Sequence, residues 1–230
     1  MSAEVLSINN LVKHYGNIKA LDDVSFCVPK GCVFGILGPN GSGKTTTLGI
    51  ILNVLKQTNG SFSWFGMSSN TAVRKKIGSL LEIPNFYHYL SAVDNLKITQ
   101  AISQRGTESD IDRVLEIVNL AQRKHSKFKT YSLGMKQRLA IGAALLGNPD
   151  VLVFDEPTNG LDPVGIAEIR ELIKQLAKDG KTIIMASHLL DEVEKVCNHV
   201  AILKKGKLIT AGAVDAVLAS LPFTSYTFTL

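Results

Sequence analysis

The stretch Gly38-Pro39-Asn40-Gly41-Ser42-Gly43-Lys44-Thr45-Thr46 fits the pattern G-x-x-x-x-G-K-[ST] at every fixed position. Gly38, Gly41 and Gly43 open backbone conformations closed to residues with side chains, so successive N–H groups can turn inward around a phosphate. Lys44 reaches the outer phosphates, and the Thr45 hydroxyl can ligate an accompanying Mg²⁺. Two carboxylates extend this chemistry, because the apolar run Val151 to Phe154 leads directly into Asp155 and Glu156. Asp155 is placed to hold Mg²⁺ beside Thr45. Glu156, one residue on, points elsewhere and can take a proton from, or orient, a water attacking a γ-phosphate. These residues imply a nucleoside triphosphate site. His188, at the tip of the apolar run Thr182 to Ser187, could contact that γ-phosphate, or could be a satisfied structural histidine. Tyr15 could stack on an adenine ring, or could be an ordinary strand-end tyrosine.

The elements around these residues are readable from their periodicity. Val33 to Leu37 predicts a buried strand, and Thr45 to Leu55 a helix with apolar Leu48, Ile51, Leu52 and Leu55 at helical spacing. Strand, glycine-rich turn and helix is the context a phosphate loop requires, and the helix start adds unpaired N–H groups and a positive dipole end. Upstream, Val5 to Val12 and Leu21 to Val28 predict a small antiparallel layer turning at Tyr15-Gly16-Asn17. Gly60 to Met67 and Ile77 to Ile83 read as further strands, the second ending at Pro84.

Between Asn85 and Gly147 the α/β alternation gives way to helices, at Ala92 to Ile102 and Ile111 to Leu120, with Ser91 and Asp110 as N-caps. Another helix opens in Tyr131 to Arg138 and continues through Leu146 until Asn148-Pro149-Asp150 stops it. The basic run Arg123 to Lys127 reads as a solvated loop. The α/β pattern then resumes with Val151 to Phe154. Asp162-Pro163 caps a helix striped by Ile166, Ile169, Leu172, Ile173 and Leu176 and ended by Gly180. Strand Thr182 to Ser187 and helix Leu189 to Cys197 follow. Val200 to Leu203 and Leu208 to Ala211 make a hairpin whose lysines keep an edge soluble, and Ala213 to Leu221 is weakly helical. Phe223 to Leu230 alternates as a strand would.

The 230 residues suit one large domain or a core carrying an insertion. A net charge of +5 and a pI near 9.0 favour anionic nucleotides or a lipid surface, although such a balance most often marks only a solvated exterior. Cys27, Cys32 and Cys197 form no C-x-x-C pair, which argues against a zinc site or disulfide framework and fits a reducing compartment. No signal-peptide pattern opens the chain, and no apolar run approaches the roughly 20 residues that span a bilayer. The base-reading N-K-x-D of GTPases is absent.

In this order and spacing the motifs resemble the nucleotide-binding subunit of ATP-binding-cassette transporters over nearly the whole chain. Gly38 to Thr45 resembles the Walker A loop, Val151 to Glu156 Walker B with its catalytic glutamate, Gly160-Leu161-Asp162 the D-loop and His188 the switch histidine. Tyr15 falls at the adenine-stacking position. The resemblance implies a P-loop NTPase (RecA-like) α/β core, residues 1–83 and 148–220, with an N-terminal antiparallel β layer, a helical subdomain inserted at 84–147 and a tail from 221. It implies ATP and Mg²⁺ as ligands. The signature position reads Tyr131-Ser132-Leu133-Gly134-Met135, where the family has L-S-G-G-Q. Ser132 and Gly134 keep the hydroxyl and N–H expected to hold the γ-phosphate of an opposing subunit, while Leu133 and Met135 replace a glycine and a glutamine. The wording Y-S-L-G-M-K-Q-R is similar to exporter subunits for drugs and antimicrobial peptides. Glu82 stands where the family has a glutamine and could contact the metal or its water. Two such subunits, identical or different, would sandwich ATP head to tail, with Asp162 at their interface, and would drive separate integral membrane subunits from the cytoplasmic face. No nucleic-acid partner is implied. A soluble cassette ATPase that remodels a protein or nucleic-acid assembly is the alternative, and the long coiled-coil insertion or paired cassettes that would favour it are not in the sequence.

Overall fold

Three runs of uninterrupted apolar character form the centre of the fold, as expected for strands covered on both faces. The computed structural model describes residues 3–68, 70–81 and 85–220. β1 (Glu4–Tyr15) and β2 (Ile18–Pro29) pair antiparallel through the turn at Gly16-Asn17, and lead to β3 (Val33–Leu37), whose five residues are all buried. α1 (Lys44–Ile51) follows the glycine-rich loop, and β4 (Asn59–Trp64) pairs antiparallel with β1, so the first sheet runs β2-β1-β4. α2 (Thr71–Lys75) and β5 (Ile77–Leu80) precede the helical stretch of α3 (Ala92–Ser103), α4 (Glu108–Ile117) and α5 (Leu133–Leu145). The remaining elements are β6 (Val151–Asp155), α6 (Pro163–Lys178), β7 (Thr182–Ser187), α7 (Leu190–Val196), β8 (His199–Lys204), β9 (Lys207–Ala213) and α8 (Val214–Ser220). The second sheet runs β5-β6-β7-β3-β8-β9, parallel except for the β8–β9 hairpin.

Alternate residues of these strands divide between two cores. Val151, Val153, Ile184 and Ala186 pack with Leu48 of α1 and with the first sheet, whereas Leu152, Phe154, Ile183 and Met185 pack with α3 to α6. Each face of the sheet therefore buries its own apolar set, the main favourable term in such a fold. Phe26 stacks on Phe34 with ring centroids 5.4 Å apart, joining β2 to β3. Trp64 is fully buried and donates its indole N–H to the Ile51 carbonyl at 2.8 Å, fixing β4 against the end of α1.

Several predicted boundaries are corrected. The first helix ends at Ile51 rather than Leu55, because Asn53 takes a left-handed conformation (φ 58°). Asn53 N–H then bonds the Ile50 carbonyl at 2.9 Å and Val54 N–H the Gly49 carbonyl at 2.8 Å, the two bonds of a Schellman ending. α4 begins earlier than its apolar stripe, with Thr107 as N-cap. Asp110, expected as the cap, instead accepts from the Thr107 N–H at 2.9 Å as the third residue of a capping box. Ser91 is the cap of α3 as predicted, accepting from Asp94 N–H at 3.1 Å. α5 starts only after Ser132, and left-handed Gly147 and Asn148 follow its end. β5 stops at Leu80, and Glu82 to Pro84 and Leu221 to Leu230 lie outside the described residues. No helix among the described residues is long and apolar enough to cross a membrane.

Trp64→Phe removes the indole donor and leaves both a buried carbonyl and a gap at the α1–β4 contact. The urea unfolding midpoint should fall with unchanged slope, corresponding to about 2 kcal/mol or more. An unchanged midpoint would mean that this contact does not hold α1.

Candidate functional site

Strand order decides where the chemistry collects. β3 lies between β7 and β8, and β7 lies between β6 and β3, so three C-terminal strand ends stand side by side. Leu37 is in register with Ser187, and Asp155 with Ala186. The residues that follow these ends are the glycine-rich loop, Glu156 and His188. Gly38 N–H bonds the Ser187 carbonyl at 3.3 Å and Glu156 N–H the Ala186 carbonyl at 3.1 Å, which extends the pairing one step past each strand. Ligands of open α/β sheets bind at such ends.

At this edge the three residues meet. Lys44, the first residue of α1, is buried, with its Nζ donating to the Gly38 carbonyl at 2.9 Å and the Pro39 carbonyl at 3.4 Å. The same nitrogen lies 3.3 Å from Glu156 Oε1, and Glu156 Oε2 lies 2.8 Å from His188 Nδ1. One carboxylate therefore spans an ammonium and an imidazole that are separated by more than 140 residues in sequence. Glu156 has φ 48°, a left-handed conformation that strains a residue with a side chain, and Asn159 N–H closes the turn onto its carbonyl at 3.1 Å. Such strain persists only where the surroundings over-determine it, and here three strand ends do so.

The phosphate loop is braced from outside. Gly43 (φ 105°) has no room for a side chain, since a Cβ would lie 2.8 Å from the Ala20 carbonyl oxygen and 2.6 Å from Leu21 Cδ2. The β8–β9 turn, Lys205-Gly206, takes two left-handed conformations (φ 50° and 76°), as a type I′ hairpin requires. Gly206 N–H then bonds the Ser42 carbonyl at 3.0 Å, and its own carbonyl accepts from Asp22 N–H at 2.8 Å. The sequence had suggested only a soluble edge for this basic turn. Its seat on the phosphate loop has no local signal, because both partners are backbone atoms more than 160 residues away in the chain. Ser42 is 1% exposed, and its buried Oγ has no hydrogen-bond partner among the described residues.

The other predicted site residues that are described fall into four places. Pro39, Asn40, Gly41 and Thr46 belong to the loop and helix start, where Asn40, Gly41 and the Thr45 side chain are exposed. Asp155, buried at the end of β6, follows Val151 and Val153 on the face that packs against α1. Tyr15 stands at the tip of the β1–β2 hairpin, 47% exposed, with Lys13 Nζ 4.8 Å over its ring; β2 then passes Gly43 at Ala20. Ser132 is exposed as the N-cap of α5, its Oγ accepting from Met135 N–H at 3.2 Å, and a Cβ on Gly134 would meet open space. Asp162, also exposed, caps α6 by accepting from Gly165 N–H at 2.8 Å. Ser132, Leu133, Gly134, Gly160, Leu161 and Asp162 line one cavity of about 440 Å³, so the signature and D-loop segments share a surface. Glu82 lies outside the described residues. The sequence reading passed over Arg170 and Glu192. Their signal is a charged residue beside an apolar stripe, Ile169–Ile173 in one helix and Val193–Val196 in the other.

Among the described residues no group of three or more His, Cys, Asp or Glu side chains could hold a metal ion. A cation bound by Thr45 and Asp155 would therefore take most of its ligands from phosphate and water. That division suits Mg²⁺, a hard ion that keeps several waters and binds through one or two protein oxygens.

Residues 21–159 match the family model described as ABC transporter. The bacitracin transport ATP-binding protein BcrA of Bacillus licheniformis is 43% identical over 209 residues, spanning 89% of this chain and 68% of that protein. The lantibiotic transport ATP-binding protein SrtF of Streptococcus pyogenes is 41% identical over 211 residues, spanning 92% of each. Among solved structures, the dimeric post-hydrolysis state of the ATP-binding cassette MJ0796 bound to ADP and Pi superposes with a TM-score of 0.78. It is 27% identical and covers 91% of this chain and 98% of that one.

Gly206→Ala would place a Cβ 2.8 Å from the Ala20 carbonyl oxygen and force a left-handed alanine. ATP affinity should fall by about fivefold or more, the equivalent of roughly 1 kcal/mol of strain passed to the loop, with the far-ultraviolet circular dichroism spectrum preserved. Wild-type affinity in that variant would separate the hairpin from the phosphate loop.

Proposed function

The chain belongs to the ABC transporter family, as an ATP-binding ATPase subunit, and from that premise we propose that it powers outward transport of a compound of the bacitracin or lantibiotic class through separate membrane subunits. One observation carries the catalytic part of this reading. Glu156 stands between Lys44 and His188 at the C-terminal edge of the sheet, 3.3 Å from one and 2.8 Å from the other. Glu156 takes the proton of the attacking water, and His188, oriented through Nδ1, presents its other ring nitrogen to the γ-phosphate and that water. Lys44 exchanges its loop carbonyls and Glu156 for β- and γ-phosphate oxygens. The Ser42 hydroxyl gains the acceptor that no described residue offers it. Backbone N–H groups of Gly41, Gly43 and the helix start cradle the phosphates, and Tyr15 stacks on the adenine. Thr45 and Asp155 would hold Mg²⁺, which when bound neutralises charge developing on the phosphate oxygens.

A single chain carries one phosphate loop and one signature segment. Ser132, exposed at the start of α5, and half-buried Gly134 hold the γ-phosphate bound by a second subunit, and Asp162 lines the same cavity. ATP thereby contributes contacts to both halves only when they are closed, and cleavage of the γ-phosphate removes those contacts. The exporter wording at Tyr131 to Arg138 and the kinship with BcrA and SrtF support the direction and cargo class.

Glu156→Gln should bind ATP with near wild-type affinity, hydrolyse it at least about a hundredfold more slowly, and elute as a nucleotide-held dimer in size-exclusion chromatography. Undiminished turnover would remove Glu156 from its role. Lys44→Ala should lose ATP binding in equilibrium titration, and retention of both binding and turnover would overturn the phosphate-loop assignment.

A further inference from the structure

The catalytic pair of Glu156 and His188 is flanked by a second polar cluster, buried at Glu192 and Thr158 and open to solvent at Asp191. Glu192, in the first turn of α7, is a carboxylate only 1% exposed. Its Oε2 accepts the Thr158 hydroxyl at 2.6 Å, and its Oε1 accepts from Arg170 Nη2 of α6 at 2.8 Å. The same Nη2 lies 2.9 Å from Asp191 Oδ2. Thr158 is itself 5% exposed. Burying an ionised carboxylate costs several kcal/mol unless its oxygens are paired, and a buried ion pair is weak evidence of added stability. What this cluster does supply is position.

Thr158 lies two residues after Glu156, and Glu192 four residues after His188. The Glu192 carboxylate thus ties together the chain just downstream of both members of the pair, and Arg170 anchors the tie to the long helix α6. The segment it grips from the Glu156 side is the strained one: φ is 48° at Glu156, and the turn closes through Asn159 N–H to the Glu156 carbonyl and Leu161 N–H to the Thr158 carbonyl. No atom of the cluster is among the Lys44, Glu156 or His188 contacts, so any effect on chemistry must pass through backbone placement. We propose that Glu192, with Thr158 and Arg170, is a positioning residue that sets the distance between Glu156 and His188. The proposal rests on the reading of Glu156 as the base.

Thr158→Val removes the hydroxyl at nearly constant volume, and Thr158→Ser keeps it. In the full chain, Thr158→Val should lower kcat by about ten- to a hundredfold, the scale of an ångström-sized misplacement. KM and the dissociation constant for a fluorescent ATP analogue should stay within about twofold, and Thr158→Ser should restore kcat to within about twofold. In single-turnover hydrolysis, adding Thr158→Val to Glu156→Gln should cost little more, because the cluster acts through a group already disabled. Unchanged kcat in Thr158→Val would overturn the proposal. So would a full further loss on the Glu156→Gln background, or a fall in ATP affinity and melting temperature shared by the valine and serine variants, which would assign the cluster to folding alone. A Glu156→Gln chain that turned over normally would instead sink the reading beneath it.

Discussion

An ammonium group buried to 6% side-chain exposure must be surrounded by oxygen, and the way Lys44 meets that demand organises this protein. Two of its acceptors are carbonyls of its own loop, at Gly38 and Pro39, so the loop curls over its lysine. The third is the Glu156 carboxylate, which reaches back from the end of another strand. The loop is therefore shaped by the charge of its own lysine, and the geometry that closes it also brings the Glu156 carboxylate to that lysine.

That arrangement makes severe demands on the backbone. Glu156 is held left-handed, Gly43 is left-handed with no space for a Cβ, and the loop itself takes few internal hydrogen bonds. Support comes from three directions. The parallel strands β6, β7 and β3 continue their pairing into Glu156 and Gly38. The β8–β9 turn bonds Ser42 on one side and Asp22 of β2 on the other. The buried Thr158–Glu192–Arg170 cluster grips the chain behind the strained turn. Rigid regular elements carry the strain of the irregular ones.

The distribution of the two cores has a mechanical consequence. One core fuses the sheet, α1 and the first antiparallel sheet, the elements that surround the phosphate loop and lead to Tyr15. The other joins the opposite face to α3–α6 and therefore to Ser132 and Asp162. The glycine-rich loop and the Ser132–Asp162 surface are thus seated on different faces of one sheet. The strands β6 and β7 contribute alternate side chains to both cores, so the two surfaces are joined through shared backbone.

The sequence alone determined whatever depends on a few neighbouring residues. Val33–Leu37 and Thr182–Ser187 are the predicted strands to the residue, because a run of apolar residues buried on both faces admits little else. Asp162-Pro163 and Ser91 start their helices as read, because capping is a bond across three residues. The strand, glycine-rich turn and helix start at Val33 to Lys44 were legible for the same reason. Where a local rule had two solutions the reading erred: Asn53 adopts the left-handed state that ends α1, and Asp110 serves a capping box rather than the cap itself. Only the tertiary structure decided which strand ends stand together, and so whether Glu156 and His188 are partners or bystanders. It alone seated Gly206 on Ser42 and closed Glu192 onto Thr158. Those contacts join residues 32 to 164 positions apart, and their energy comes from burial and strand pairing summed over the whole sheet, which no short window of residues contains.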